Sequence, residues 1–171
     1  AEKALLQECD LELRELLSKV LLEKGIVALN LGKSKDDIRR DFMEVLEACE
    51  KFSWHALAGK CYVVLARLEV YSGNFSAAED WARKAIQVGE RHTEGKALIS
   101  GYGLLTESKL YRGDYQQALP FAEKNLELAR KFGDLSDVAD ALNKLGAIDY
   151  YMGDYKKSLS RYREAVELRK E

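Results

Sequence analysis

A six-residue motif recurs at fixed spacing along the chain: Gly73-Asn74-Phe75-Ser76-Ala77-Ala78, Gly113-Asp114-Tyr115-Gln116-Gln117-Ala118 and Gly153-Asp154-Tyr155-Lys156-Lys157-Ser158, each 40 residues after the last. Flanking columns keep the same period: Leu65, Leu105, Leu145; Ala66, Thr106, Gly146; Tyr71, Tyr111, Tyr151; and Ile86, Leu126, Val166. A period of this length marks stacked units that each fail to bury their apolar face alone. A degenerate earlier copy places Gly25, Gly32 and Leu46 in the same frame, with one extra residue in the Lys33 to Asp37 turn.

Composition identifies the unit. The chain has 26 Leu and 19 Ala against 9 Val, 5 Ile and 2 Thr, a balance that favours helices over strands. In the repeated motif, Gly just past a helix can take the left-handed conformation that closes the last turn, and the following Asn or Asp can cap the next helix. Phe75, Tyr115 or Tyr155 then plugs the corner between the two helices. Apolar residues on either side of each turn fall at helical spacing, so each unit reads as a helix pair. The small column, Gly25, Ala66, Thr106 and Gly146, lets paired helices approach closely.

The expected fold class is all-α, an α-α superhelix (solenoid) of about four antiparallel helix pairs. Helices are expected at about 11–31 with 36–52, 54–72 with 75–91, 96–112 with 115–132 and 136–152 with 155–170, after a short helical lead-in over 1–9. The units span about 11–52, 54–92, 96–132 and 136–170 within a single repeat domain over 1–171, read as a fragment of a longer protein. Ser53, Thr93 and Ser136 sit where N-caps are needed, and Gly133 where a helix should stop. Pro120 falls near the first turn of its helix, where a mild kink absorbs its missing N–H.

Uncharged apolar stretches such as 26–31 and 61–66 are far shorter than the roughly 18 to 20 residues of a membrane span. The N-terminus shows no uninterrupted apolar run, so no secretory signal is expected. Cys9, Cys49 and Cys61 are odd in number and lie within apolar helical patterns, which fits free thiols in a reducing compartment and a cytoplasmic location. The 27 basic and 29 acidic residues are mixed along every segment, leaving no stripe that neutralises a run of phosphates, so neither nucleic acid nor membrane is an expected partner.

The run Leu145-Gly146, Tyr150-Tyr151-Met152-Gly153-Asp154-Tyr155, Ser158, Tyr162 and Ala165 resembles the signature of the tetratricopeptide repeat (TPR). The 40-residue spacing, with Leu126 to Asp134 after it, resembles the long-repeat variety of Pins/LGN-type adaptors and MalT-type activators. Departures are the missing Pro between repeats, Thr106 for Gly or Ala, and Asn125 for Ala. The resemblance implies a right-handed superhelix whose first helices line a concave groove for a segment of another protein. The groove columns would be Lys60, Ser100, Asp140; Val63, Gly103, Asn143; Arg67, Glu107, Ala147; and Tyr71, Tyr111, Tyr151, with Lys144 beside them. Positions that in some relatives clamp a chaperone's C-terminal carboxylate here read Val63, Arg67, Leu104, Asp140 and Lys144. The acid argues against such a tail and for a partner of mixed charge with apolar anchors.

Each candidate has a plainer reading. The tyrosines either contact a ligand or pack over the following turn. Arg67 and Glu107 either pair with each other or read a ligand. Gly101 and Gly103, costing roughly 1 kcal/mol each in a helix, mark either close packing or groove space. His55 and His92 read as helix-end residues without metal-ligand spacing, the cysteines as small hydrophobes, and Trp54 and Trp81 as packing anchors. Gly101-Tyr102-Gly103 follows no strand and is no phosphate loop. No nucleophile–base set or metal cluster emerges, so no enzyme activity and no cofactor are expected. The reading is a non-catalytic protein-interaction scaffold. Alternatives are a self-associating module, through Leu159, Tyr162, Val166 and Leu168 of the last helix, and the sensing repeats of a MalT-like transcription activator.

Overall fold

The computed structural model describes residues 34–170 and, before them, Leu16 and Val20. Apart from those two residues, the helix expected over 11–31, the lead-in, Cys9, Gly25 and Gly32 lie outside the described residues. Among the described residues are seven helices and no strand: α1 Lys35–Phe52, α2 His55–Tyr71, α3 Phe75–His92, α4 Gly95–Arg112, α5 Tyr115–Phe132, α6 Leu135–Tyr151 and α7 Tyr155–Leu168. None is long and apolar enough to cross a membrane. α5 runs unbroken through Pro120.

The turns follow from the repeated glycine. Gly73, Gly113 and Gly153 take φ of +76°, +82° and +87°, left-handed values that cost glycine nothing. The next N–H, from Asn74, Asp114 or Asp154, then donates at 2.9 Å to the carbonyl of Glu69, Lys109 or Asp149, the reverse turn that closes a helix on its last carbonyls.

Capping departs from expectation at several places. Ser53 and Thr93 do not start helices but end α1 and α3, both in the left-handed conformation at φ 59°. The N–H of Trp54 and of Glu94 donates back to Cys49 and Gly89, closing those helices as the glycines close the others. Ser136 lies inside the first turn of α6, whose N-cap is Asp134 in a reciprocal capping box with Asp137. Of the motif residues Asn74, Asp114 and Asp154, only Asp154 caps through its side chain, accepting from the Lys157 N–H at 3.1 Å. Gly133 ends α5 in extended backbone.

Packing is small against large. On α3 and α5, Ala78, Ala82, Ala118 and Ala122 are fully buried, and they cluster with Ala66, Leu104, Leu105 and Leu145 from the preceding or following first helices. Each buried Leu contributes roughly 1.5–3 kcal/mol, and alanine lets the helix axes come close enough to collect it. α2 touches α4, and α4 touches α6, whereas the backbones of α1, α3, α5 and α7 stay apart among the described residues. First helices therefore form an inner layer and second helices a splayed outer one, the condition for a curved superhelix with its concave side on α2, α4 and α6.

Candidate functional site

The inner layer carries the expected groove columns. Tyr71, Tyr111 and Tyr151 close α2, α4 and the last turn of α6, and are 61%, 65% and 58% exposed. Two of them are held by stacking across the repeat boundary. Tyr111 lies on Phe75, ring centroids 6.3 Å apart, and Tyr151 on Tyr115 at 4.7 Å with rings nearly parallel. Phe75 and Tyr115 thus support the next unit's tyrosine, whereas Tyr155 packs edge-on against Tyr150 at 5.4 Å and fills the corner of its own hairpin. Offset stacking across the boundary adds about 0.5–1.5 kcal/mol per pair and leaves Tyr111 and Tyr151 more than half exposed.

An open cavity of about 760 Å³ sits between the second and third described pairs. Its lining brings together Glu107, Tyr111, Asp140, Asn143, Lys144, Ala147 and Tyr151, seven of the expected groove residues, and adds Leu110, Arg112, Gly113 and Tyr115. Across it Lys144 Nζ meets Glu107 Oε1 at 3.2 Å. Asp140 accepts from Arg169 at 2.5 Å, and the Asn143 amide oxygen, turned toward the guanidinium, accepts from Arg169 at 2.8 and 3.2 Å. Burial, with the Glu107 carboxylate nearby, pushes the Tyr111 hydroxyl up, so it stays a donor. The cavity offers aromatic faces, paired charges and amide groups.

Arg67 and Glu107 do not pair. Glu107 is taken by Lys144, and exposed Arg67 has no carboxylate at ion-pair distance among the described residues, nor has exposed Lys60. Val63 and Ser100 are half-buried, and Leu104, one of the chaperone-clamp positions, is buried and out of the groove. The two glycines divide. A Cβ on Gly101 would meet Ile86 Cγ1 at 2.6 Å and the Ala82 carbonyl at 3.0 Å, whereas on Gly103 it would meet nothing closer than Asn125 Nδ2 at 3.5 Å. Close packing explains Gly101 alone. Buried Asn125 is accounted for by its 2.6 Å donation to the Ile99 carbonyl of α4.

Arg169, Arg112 and Tyr115 are cavity-side residues that the column reasoning missed. Tyr115 had a signal in the sequence, since Phe75 to Tyr111 and Tyr115 to Tyr151 are both 36 residues apart. His55 and His92, read as separate, stack face to face with centroids 3.6 Å apart. Cys49 and Cys61 are buried free thiols, and the hydrogen bond with Cys49 together with burial pushes Cys61 up. Among the described residues no group of three or more His, Cys, Asp or Glu is placed to hold a metal ion.

Comparison with known proteins gives two matches to families described as tetratricopeptide repeat, over residues 101–171 and 59–93. No curated protein matches. A solved structure from Pyrococcus horikoshii, a Signal Transduction ATPase with Numerous Domains (STAND) protein with a tetratricopeptide repeat sensor, is similar with a TM-score of 0.73 and 26% identity over 90% of this chain. The chain spans 23% of that protein's length.

Proposed function

Since the chain belongs to the tetratricopeptide repeat family, we propose that it is a non-catalytic scaffold that holds a partner segment in the groove lined by α2, α4 and α6. Repeats of this family mediate protein–protein interaction or assembly, and they are typically not enzymes. The observation that carries the reading is the convergence of Glu107, Tyr111, Asp140, Asn143, Lys144, Ala147 and Tyr151 on one open cavity. A peptide carrying an apolar or aromatic side chain would seat on the tyrosine faces, and its charges would exchange with the Lys144–Glu107 pair. Self-compensated charges favour selectivity over raw affinity.

The test is selection of peptides from a random display library on the intact chain, followed by affinity measurement on Ala147→Arg, which fills the cavity from a half-buried site. Selected peptides should bind Ala147→Arg at least about tenfold more weakly while its melting temperature stays near the parent's. Equal affinity would remove the groove from the account.

A second reading rests on the likeness to the STAND protein with its repeat sensor: the array would be the sensing part of a larger ATPase. The full-length gene decides it, because that reading requires a nucleotide-binding segment in the same polypeptide.

A further inference from the structure

The joints between successive units repeat a matched pair of small residues. Positions 49, 89 and 129, near the ends of α1, α3 and α5, read Cys, Gly and Ala, and positions 61, 101 and 141, early in α2, α4 and α6, read Cys, Gly and Ala in the same order. Both columns face the joint. A Cβ on Gly89 would meet Leu98 of α4 at 2.6 Å, and one on Gly101 would meet Ile86 of α3 at 2.6 Å. Ala129 and Ala141 are fully buried in one apolar cluster. Helices come close where both columns are small, and at the first joint that closeness brings two sulfurs together.

Cys49 and Cys61 are 2% and 0% exposed, share one core cluster and are joined by a thiol–thiol hydrogen bond. Packing does not require sulfur here, since glycine and alanine serve the later joints. What the pair adds is the chemistry of a dithiol. The hydrogen bond from Cys61 holds the Cys49 thiol below the usual thiol range, and the same bond together with burial pushes Cys61 up. Cys49 is therefore the sulfur that carries the thiolate and attacks, and Cys61 the one that resolves. Burial selects for an oxidant as small as hydrogen peroxide.

We propose that Cys49 and Cys61 are a peroxide-responsive modification site, a dithiol that closes to a disulfide stapling α1 to α2. The Cys49 thiolate attacks one peroxide oxygen, the O–O bond breaks, and the departing hydroxide takes up the proton Cys49 lost, leaving a sulfenic acid and water. The Cys61 sulfur then attacks the Cys49 sulfur. The S–S bond forms as the S–O bond breaks, and the hydroxyl leaves with the Cys61 proton as a second water. Two thiols are thereby oxidised by two electrons while one peroxide is reduced to two waters.

The test takes the intact chain carrying Cys9→Ser, so that only this pair remains, and exposes the reduced protein to hydrogen peroxide. After denaturation and alkylation, the intact mass should show the loss of two hydrogens and no added alkyl group, and proteolysis should yield the segment with Cys49 linked to the segment with Cys61. Dithiothreitol should restore both thiols, and the oxidised chain should melt above the reduced one. Cys61→Ala, which gives the first joint a residue the third already carries, should stop at a sulfenic acid that dimedone traps on Cys49. Cys49→Ala should leave Cys61 reduced. The proposal is overturned if both thiols survive peroxide unchanged, if oxygen is added to the pair without a cross-link, or if the disulfide formed joins two chains.

Discussion

The two helix glycines separate packing from mere tolerance. Gly101→Ala forces a methyl within 2.6 Å of Ile86 Cγ1 and 3.0 Å of a backbone oxygen that cannot yield, so it should destabilise by about 1–3 kcal/mol. Gly103→Ala meets only ordinary contacts and should stabilise by up to about 1 kcal/mol, the helix-propensity difference. Urea unfolding of both variants checks the signs. At the same scale Glu69 is buried and accepts from Arg39 at 2.5 Å and from the Asn74 amide at 2.9 Å, tying α1, α2 and the turn together. Glu69→Ala should cost about 1–3 kcal/mol by orphaning both donors, the partial exposure of Arg39 keeping it below the cost of breaking a fully buried pair. These effects were not legible in the sequence. Gly101 and Gly103 look alike there, and only the crossing of α3 over α4 tells them apart.

At the scale of the element, helix spans could be read closely while their caps could not. Periodicity and the 40-residue frame determine where a helix can run, because they fix which residues must be buried. Whether Ser53 ends α1 or starts α2 depends on which side of a two-residue turn takes the left-handed conformation, and Ser and Thr are plausible on both sides. The Asp134 cap gives a pH test. Its hydrogen bond with Lys96, and then the one from the Asp137 N–H, hold its carboxyl below the usual carboxylate range. A carboxylate whose folded value is depressed contributes stability above its unfolded value of about 3.9 and loses it as pH falls through the folded one. Asp134→Ala should therefore melt lower than the parent near neutrality, and the gap should close as the pH is taken below about 4. A gap that persists unchanged in acid would mean the cap acts through packing instead.

For the whole molecule, the repeat made the architecture readable from one chain. A period, a turn chemistry and a small column together require stacked helix pairs; which helices lie inside was implied only by the resemblance to tetratricopeptide repeats. The columns carried over from the resemblance recur with the period on α4 and α6, which is why seven of their residues line one cavity. Pairings between helices were not legible, since Lys144 with Glu107 depends on how far one repeat rotates over the next, and Arg169 with Asp140 on how α7 lies against α6 within one pair. The tyrosine ladder belongs to this scale too. Tyr115→Ala removes the support of Tyr151 and should weaken selected groove peptides while costing about 0.5–1.5 kcal/mol of stability; thermal melts and titrations on the one variant separate the two effects.

The central claim is that α2, α4 and α6 present the binding surface. An amide chemical-shift titration of the intact chain with a display-selected peptide tests it most directly. The account predicts that the perturbed amides cluster on Glu107–Tyr111 of α4 and Asp140–Tyr151 of α6. Perturbations gathered on the outer faces of α3 and α5, with those two segments unmoved, would contradict it.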